Sequence, residues 1–133
     1  MNGDILTTVN YEAFLKGHIE SKAAASICTY PREVKIDFGV IQSQNGTLDK
    51  YIEKPTYHYE VSMGINALNR AAVEPYLGED KYLDMPDLLM NLRNENKIVR
   101  TVKQECSWLD IGRPEDYTQA LDLFEAQKGF FLK

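Results

Sequence analysis

Near the start of the chain, Phe14, Leu15, His18 and Ile19 follow Tyr11 by 3, 4, 7 and 8 positions, the spacing of one stripe along an α-helix. Asn10 stands ahead of this stripe as an N-cap, so a first helix is expected over residues 10–22. Ile27, Thr29 and Tyr30 favour extended backbone, which predicts a strand over 24–30 that stops before Pro31. Two further extended runs, 34–43 and 48–53, flank Asn45-Gly46, the dipeptide that best tolerates the positive φ values of a tight hairpin turn. Val61, Met63 and Ile65 alternate with Ser62, Gly64 and Asn66, giving a strand over 60–68. A helix over 70–77 follows, kept short by Pro75. Asp84 ahead of Met85-Pro86-Asp87 marks another helix start, with Leu88, Leu89 and Leu92 facing inward. Strands are expected over 97–104 and at Trp108–Asp110, and Pro114 opens a last helix reaching Gly129. Helices alternate with strands and neither a repeat nor a linker interrupts them, so residues 1–133 read as one α/β layered domain with a mixed sheet.

Composition narrows the partners. With 44% hydrophobic residues in 133, the chain can bury one core but not two. Twenty acidic against fifteen basic residues give a net charge of −5, the wrong sign for a surface that binds nucleic-acid phosphate or anionic lipid. Neither nucleic acid nor a membrane is therefore an expected partner. No apolar run approaches the roughly 20 residues needed to span a bilayer, and Met1 precedes Asn2-Gly3-Asp4 rather than a basic and then apolar leader. A cytoplasmic protein is expected. Cys28 and Cys106 lack CxxC spacing and a histidine in any nucleophile signature, which argues against a disulfide framework, a zinc site or thiol catalysis. His18 lies on the helical stripe and is expected to pack, and His58 falls among Tyr57, Tyr59 and Glu60 in an expected loop.

Asn2-Gly3-Asp4 and Trp108-Leu109-Asp110-Ile111-Gly112 each set an aspartate beside a glycine, and α/β folds place ligand-contacting groups at the carboxyl ends of strands. Two aspartates from separate strands suit magnesium, which takes hard oxygen ligands and keeps water or substrate phosphate in its remaining positions. Read singly, Asp4 fits an ordinary turn and Asp110 a helix-capping carboxylate ahead of Pro114. In Glu53-Lys54-Pro55 the lysine offers a compact charge to a phosphate and the glutamate accepts bonds from sugar hydroxyls. The plain alternative is a solvated strand end. Extended backbone would send Glu53 and Lys54 to opposite faces unless Pro55 imposes a local twist. Gly39 and Gly64 sit inside strand patterns, where glycine signals a bulge or a close approach.

Taken in order, Asn2-Gly3-Asp4, Asp37-Phe38-Gly39-Val40, Glu53-Lys54-Pro55, Ser62-Met63-Gly64-Ile65 and the segment from Trp108 through Arg113-Pro114-Glu115-Asp116-Tyr117 resemble the sugar-1-phosphate nucleotidyltransferases, the NDP-sugar pyrophosphorylase family. The resemblance runs to about Ala126. It implies a Rossmann-like α/β sandwich whose substrates are a nucleoside triphosphate and a sugar 1-phosphate, with NDP-sugar and pyrophosphate as products. It assigns Asp4 and Asp110 to magnesium, Lys54 to the sugar phosphate, and Gly39, Glu53, Ser62 and Gly64 to the sugar pocket. Asp4, Lys54 and Asp110 are thereby the catalytic candidates. Many members carry an aromatic residue in place of Asn66 and a threonine in place of Arg113. The family's glycine-rich, arginine-bearing loop and its lysine-proline pair lie upstream of the motif matched by Asn2-Gly3-Asp4 and have no counterpart among these residues. This implies the C-terminal half of the catalytic domain, inactive alone, with strand edges that a homo-oligomer would cover. The alternative is a non-catalytic sugar-phosphate-binding or assembly module that partners a complete enzyme.

Overall fold

Asn10 caps the first helix, α1 (Tyr11–Ser21), through its side-chain oxygen, which accepts the Ala13 amide at 2.9 Å; such a cap contributes about 1 kcal/mol. In the computed structural model, which describes residues 1–78, 82–112 and 114–131, Lys22 ends α1 in left-handed backbone at φ 54°. The other elements are β1 (Ile5–Thr7), β2 (Ala25–Lys35), β3 (Val40–Gln44), β4 (Thr47–Ile52), β5 (Thr56–Leu68), α2 (Arg70–Val73), α3 (Met85–Asn94), β6 (Val99–Lys103), β7 (Trp108–Asp110) and α4 (Pro114–Phe131). Strand order is β5-β2-β6 in one sheet, with β1-β7 and β3-β4 as separate pairs. Parallel pairing of β2 with β6 and antiparallel pairing of β1 with β7 make the architecture mixed α/β.

The residues form two compact units, Met1–Tyr30 with Ser62–Lys133, and Pro31–Val61. The first contains the core. Met63 and Ile65 point to one side of β5 by strand alternation and pack with Phe14 from α1 and Cys28 from β2. A second cluster joins Ala25 to Val73 and to Leu88 and Leu92, which stand one helical turn apart on α3. Asp84 caps α3 by accepting the Asp87 amide at 2.9 Å. His18 is buried as expected, its Nδ1 sharing a 2.9 Å hydrogen bond with Ser26 Oγ. No described helix is long and apolar enough to cross a membrane.

The second unit is held mainly by local geometry. Asn45 and Gly46 adopt φ 52° and 78°, the left-handed pair that closes a tight turn. The β3-β4 ladder then runs from Gln44↔Thr47 to Val40↔Ile52, with an irregularity between Gln42 and Ser43.

Three local expectations are corrected. β2 runs through Pro31 to Lys35 rather than stopping ahead of the proline. Its ladder to β6 ends at Thr29↔Lys103, so beyond that point β2 is open on that side, where proline is tolerated. The expected strand over 34–43 is instead the end of β2, a bend over 36–39 and β3, because strong strand formers on both sides mask the break at Asp37 and Gly39. His58 belongs to β5 rather than to a loop, its Nδ1 3.3 Å from Glu33 Oε1. The aromatic residues on either side of it favour extended backbone.

Candidate functional site

Strand pairing brings the two aspartates together. Antiparallel register sets Ile5 opposite Asp110, and the Ile111 amide donates to the Asp4 carbonyl at 2.8 Å, carrying the pairing one step past β7. The Gly112 amide donates to Asp110 Oδ1 at 3.1 Å, which orients that carboxylate. A Cβ added at Gly112 would stand 2.9 Å from Asp4 Oδ2 and 3.1 Å from Asp110 Oδ1. Glycine is thus needed where two carboxylate oxygens converge beside the backbone. Asp110 ends a strand as expected, whereas Asp4 lies in a turn immediately before β1 rather than at a strand's carboxyl end. Both are exposed.

This corner is braced from the core. The Trp108 indole donates to the Met63 carbonyl at 3.3 Å and its ring lies 5.4 Å from that of Tyr30. Thr7 Oγ1 donates to the Ser107 carbonyl at 2.8 Å, and the Ser107 amide donates to Thr8 Oγ1 at 3.0 Å. The Asn2 amide donates to the Gly64 carbonyl at 3.0 Å. Gly64 has φ 71°, and a Cβ there would come within 2.8 Å of Asn2 Nδ2. The room that glycine leaves in β5 is therefore filled by Asn2, a residue whose role sequence pattern did not single out. Ser62 Oγ accepts the Gly64 amide at 3.3 Å, which ties those two candidates to each other.

In the second unit, Glu53 and Lys54 are exposed and lie past the end of β4. Lys54 has φ 42°, so left-handed backbone breaks the strand alternation that would have sent the two side chains to opposite faces. The Pro55 carbonyl accepts the Ile36 amide at 3.0 Å and fixes this bend. Gly39 lies under the Tyr51 ring, where a Cβ would collide with the phenol. Ile41 pairs with Tyr51 across the hairpin, yet nothing in the linear sequence pairs Tyr51 with Gly39. Arg113 lies outside the described residues.

Two converging carboxylates are hard oxygen donors of the kind magnesium accepts, with further positions left to water or phosphate. Among the described residues no group of three or more His, Cys, Asp or Glu side chains gathers as a metal cluster. The two exposed carboxylates beside Gly112 fit such an ion as two of its ligands.

Solved structures with this fold include HddC from Yersinia pseudotuberculosis, at TM-score 0.60 and 21% identity, covering 93% of this chain and 53% of that one. A putative glucose-1-phosphate thymidylyltransferase from Bacillus anthracis, solved with sucrose, aligns at TM-score 0.63 and 21% identity over 91% of this chain and 51% of that one. In sequence, the chain is 29% identical over 126 residues to a UTP–glucose-1-phosphate uridylyltransferase of Synechocystis sp., covering 90% of this chain and 32% of that protein. The chain thus spans about half the length of these solved structures and about a third of that curated relative. The family described as Nucleotidyl transferase matches residues 1–127. Because that match takes in every strand and most of α4, the chain belongs to the nucleotidyl transferase family.

Proposed function

We propose that the protein supplies the metal and sugar-phosphate portion of a sugar-1-phosphate nucleotidyltransferase. The observation that carries this reading is the convergence of Asp4 and Asp110 on one point beside Gly112, in a chain of this family. In the reaction, a sugar-phosphate oxygen forms a bond to the α-phosphorus of a nucleoside triphosphate, the α–β phosphoanhydride bond breaks, and pyrophosphate leaves with the electron pair. Bound magnesium would neutralise charge on the phosphates. Asp4 and Asp110 would hold that ion, and Gly112 keeps the space between their oxygens clear. Lys54 would contact the sugar phosphate, with Glu53 accepting from sugar hydroxyls and Gly39, Ser62 and Gly64 contributing to the sugar pocket. Such a reaction depends on positioning and charge rather than covalent chemistry by the protein. These residues serve that need without a nucleophile.

The names of the relatives make glucose 1-phosphate the first substrate to try. Calorimetry of the chain with magnesium and glucose 1-phosphate is expected to show magnesium-dependent binding. Asp110→Asn should lose the magnesium dependence, and Lys54→Ala should weaken the sugar phosphate by about tenfold. Binding that is indifferent to magnesium, to Asp110→Asn and to Lys54→Ala would sink the reading.

A second reading is a non-catalytic sugar-phosphate-binding or assembly module. Pyrophosphate release distinguishes the two readings. We expect none at an enzymatic rate from the 133 residues alone, and release restored when a segment carrying a glycine-rich, arginine-bearing loop is supplied. Failure of restoration with intact sugar-phosphate binding would favour the module.

A further inference from the structure

Asn2 links the aspartate corner to Gly64 of β5, and its side chain has no task so far. Its main-chain amide donates to the Gly64 carbonyl at 3.0 Å, and two positions on, the Asp4 carbonyl accepts the Ile111 amide at 2.8 Å. The segment Asn2-Gly3-Asp4 is thereby tied to β5 at one end and to the chain after β7 at the other. At Gly64, between the core residues Met63 and Ile65, a Cβ would stand 2.8 Å from Asn2 Nδ2 and 2.9 Å from Asn2 Cγ. The carboxamide thus lies against the glycine backbone where a side chain of β5 would otherwise stand. Asn2 is exposed, and among the described residues no hydrogen bond engages its carboxamide. A primary amide presents a donor and an acceptor side by side. Both are left for a ligand. A hydroxyl, which donates and accepts, answers such a group on both counts, whereas an ionised phosphate oxygen only accepts.

We propose, resting on the function stated above, that the Asn2 carboxamide binds the hydroxyl on C2 of the sugar 1-phosphate. In that function Asp4 and Asp110 hold the magnesium that meets the phosphate, while Ser62 and Gly64 border the sugar. The hydroxyl on C2 is the one nearest the phosphate, since it stands on the carbon next to the phosphorylated C1. A side chain two residues from Asp4 and in contact with Gly64 is placed for that hydroxyl rather than for those on C3, C4 or C6. Nδ2 would donate to the hydroxyl oxygen, or Oδ1 accept its proton. A sugar that lacks this hydroxyl forfeits the bond and keeps the phosphate contacts. Asn2 is in this way a specificity-determining residue that reads one carbon of the sugar without touching the metal.

Calorimetry of the 133-residue chain with magnesium and, in turn, glucose 1-phosphate, 2-deoxyglucose 1-phosphate and inorganic phosphate tests this. In the wild type, loss of the C2 hydroxyl should weaken binding by about three- to tenfold, the range for one hydrogen bond between neutral groups. Asn2→Ala keeps the main-chain amide that bonds Gly64. It should weaken glucose 1-phosphate by the same factor and leave 2-deoxyglucose 1-phosphate and inorganic phosphate unchanged. If the variant weakens both sugars equally, or weakens inorganic phosphate as well, Asn2 is only a brace for Asp4 and the proposal is overturned. A wild type that binds the two sugars equally overturns it too, with no variant needed. Glucose 1-phosphate binding that depends on magnesium and on Asp110 but ignores Asn2→Ala would remove this inference and leave the proposed function standing. Binding indifferent to magnesium and to Asp110→Asn would remove both.

Discussion

The corner holding Asp4 and Asp110 and the bend holding Glu53 and Lys54 are organised by different physics. Around the aspartates, position is set by contacts between residues about a hundred apart in sequence, as in the Ile5↔Asp110 register and the Thr7–Ser107 bond. Behind them lie Met63 and Cys28, at 1% and 0% exposure. Around Glu53 and Lys54, position comes from a ladder and turns within a few residues, and no residue of the unit Pro31–Val61 is buried. Val34, Phe38, Ile41, Leu48, Tyr51 and Tyr59 are all exposed there. The metal role proposed for this pair asks for two carboxylates held in place, and long-range pairing over a packed core suits that demand. The phosphate contact proposed for Lys54 tolerates more freedom, because an ammonium is a point charge on a flexible stem.

The widest gap between the two regions is expected from core truncation. Leu92→Ala, at a fully buried site, should destabilise the chain by about 2–5 kcal/mol in urea unfolding. Ile41→Ala, on the open hairpin, should stay within about 0.5 kcal/mol. Equal losses would mean that the hairpin is packed as tightly as the core and would erase the contrast.

Glycine replacement sharpens the comparison. Gly46→Ala strains only a left-handed turn and should cost about 1–2 kcal/mol. Gly64→Ala combines the same strain with a collision against Asn2 and should cost more. Adding Asn2→Ala should recover the steric share, as read from the urea midpoints, and should leave the Gly46→Ala loss unchanged.

Thiol chemistry should follow burial. Burial, and secondarily Cys106, push the Cys28 thiol up to about 11. At pH 8 the folded chain is therefore expected to keep Cys28 unlabelled by a thiol reagent that modifies it readily in urea. Rapid native labelling at Cys28 would show that the core opens as freely as the hairpin.

The smallest effect concerns pH. The Tyr76 hydroxyl and then the Lys97 ammonium hold the Glu95 carboxyl below its ordinary 4.5, while Tyr76 and Glu95 raise Lys97 above its ordinary 10.5. Stability from the lowered carboxyl is complete above about pH 4.5 and fades as acid titrates it at lower pH; that from the raised ammonium is lost only above pH 10.5. Glu95→Gln should lower neutral stability slightly and leave stability in strong acid unchanged, so that the acid side of a stability–pH curve becomes slightly shallower.

Sequence carried much of this where the cause was local. Asn10, Asp84 and Asn45-Gly46 do in the fold what their side chains and permitted backbone angles suggest. The order of the motifs along the chain carries the family without any knowledge of strand pairing. Pairing across long stretches was not legible in the same way. That Pro31 sits inside a strand depends on where β6 stops, and that Asn2 fills the space over Gly64 depends on the fold of β5. The left-handed bend at Lys54 is not legible either, since Pro55 signals a break without giving its direction.

The indole that braces the aspartate corner has a further use. Trp108 is the only tryptophan in the chain, two residues from Asp110, with its N–H on the Met63 carbonyl and its ring against Tyr30. Light absorbed selectively by indole therefore reports from this corner alone. On the metal role proposed for Asp4 and Asp110, emission from the unlabelled protein should shift when magnesium is added, an optical readout of occupancy that needs no label.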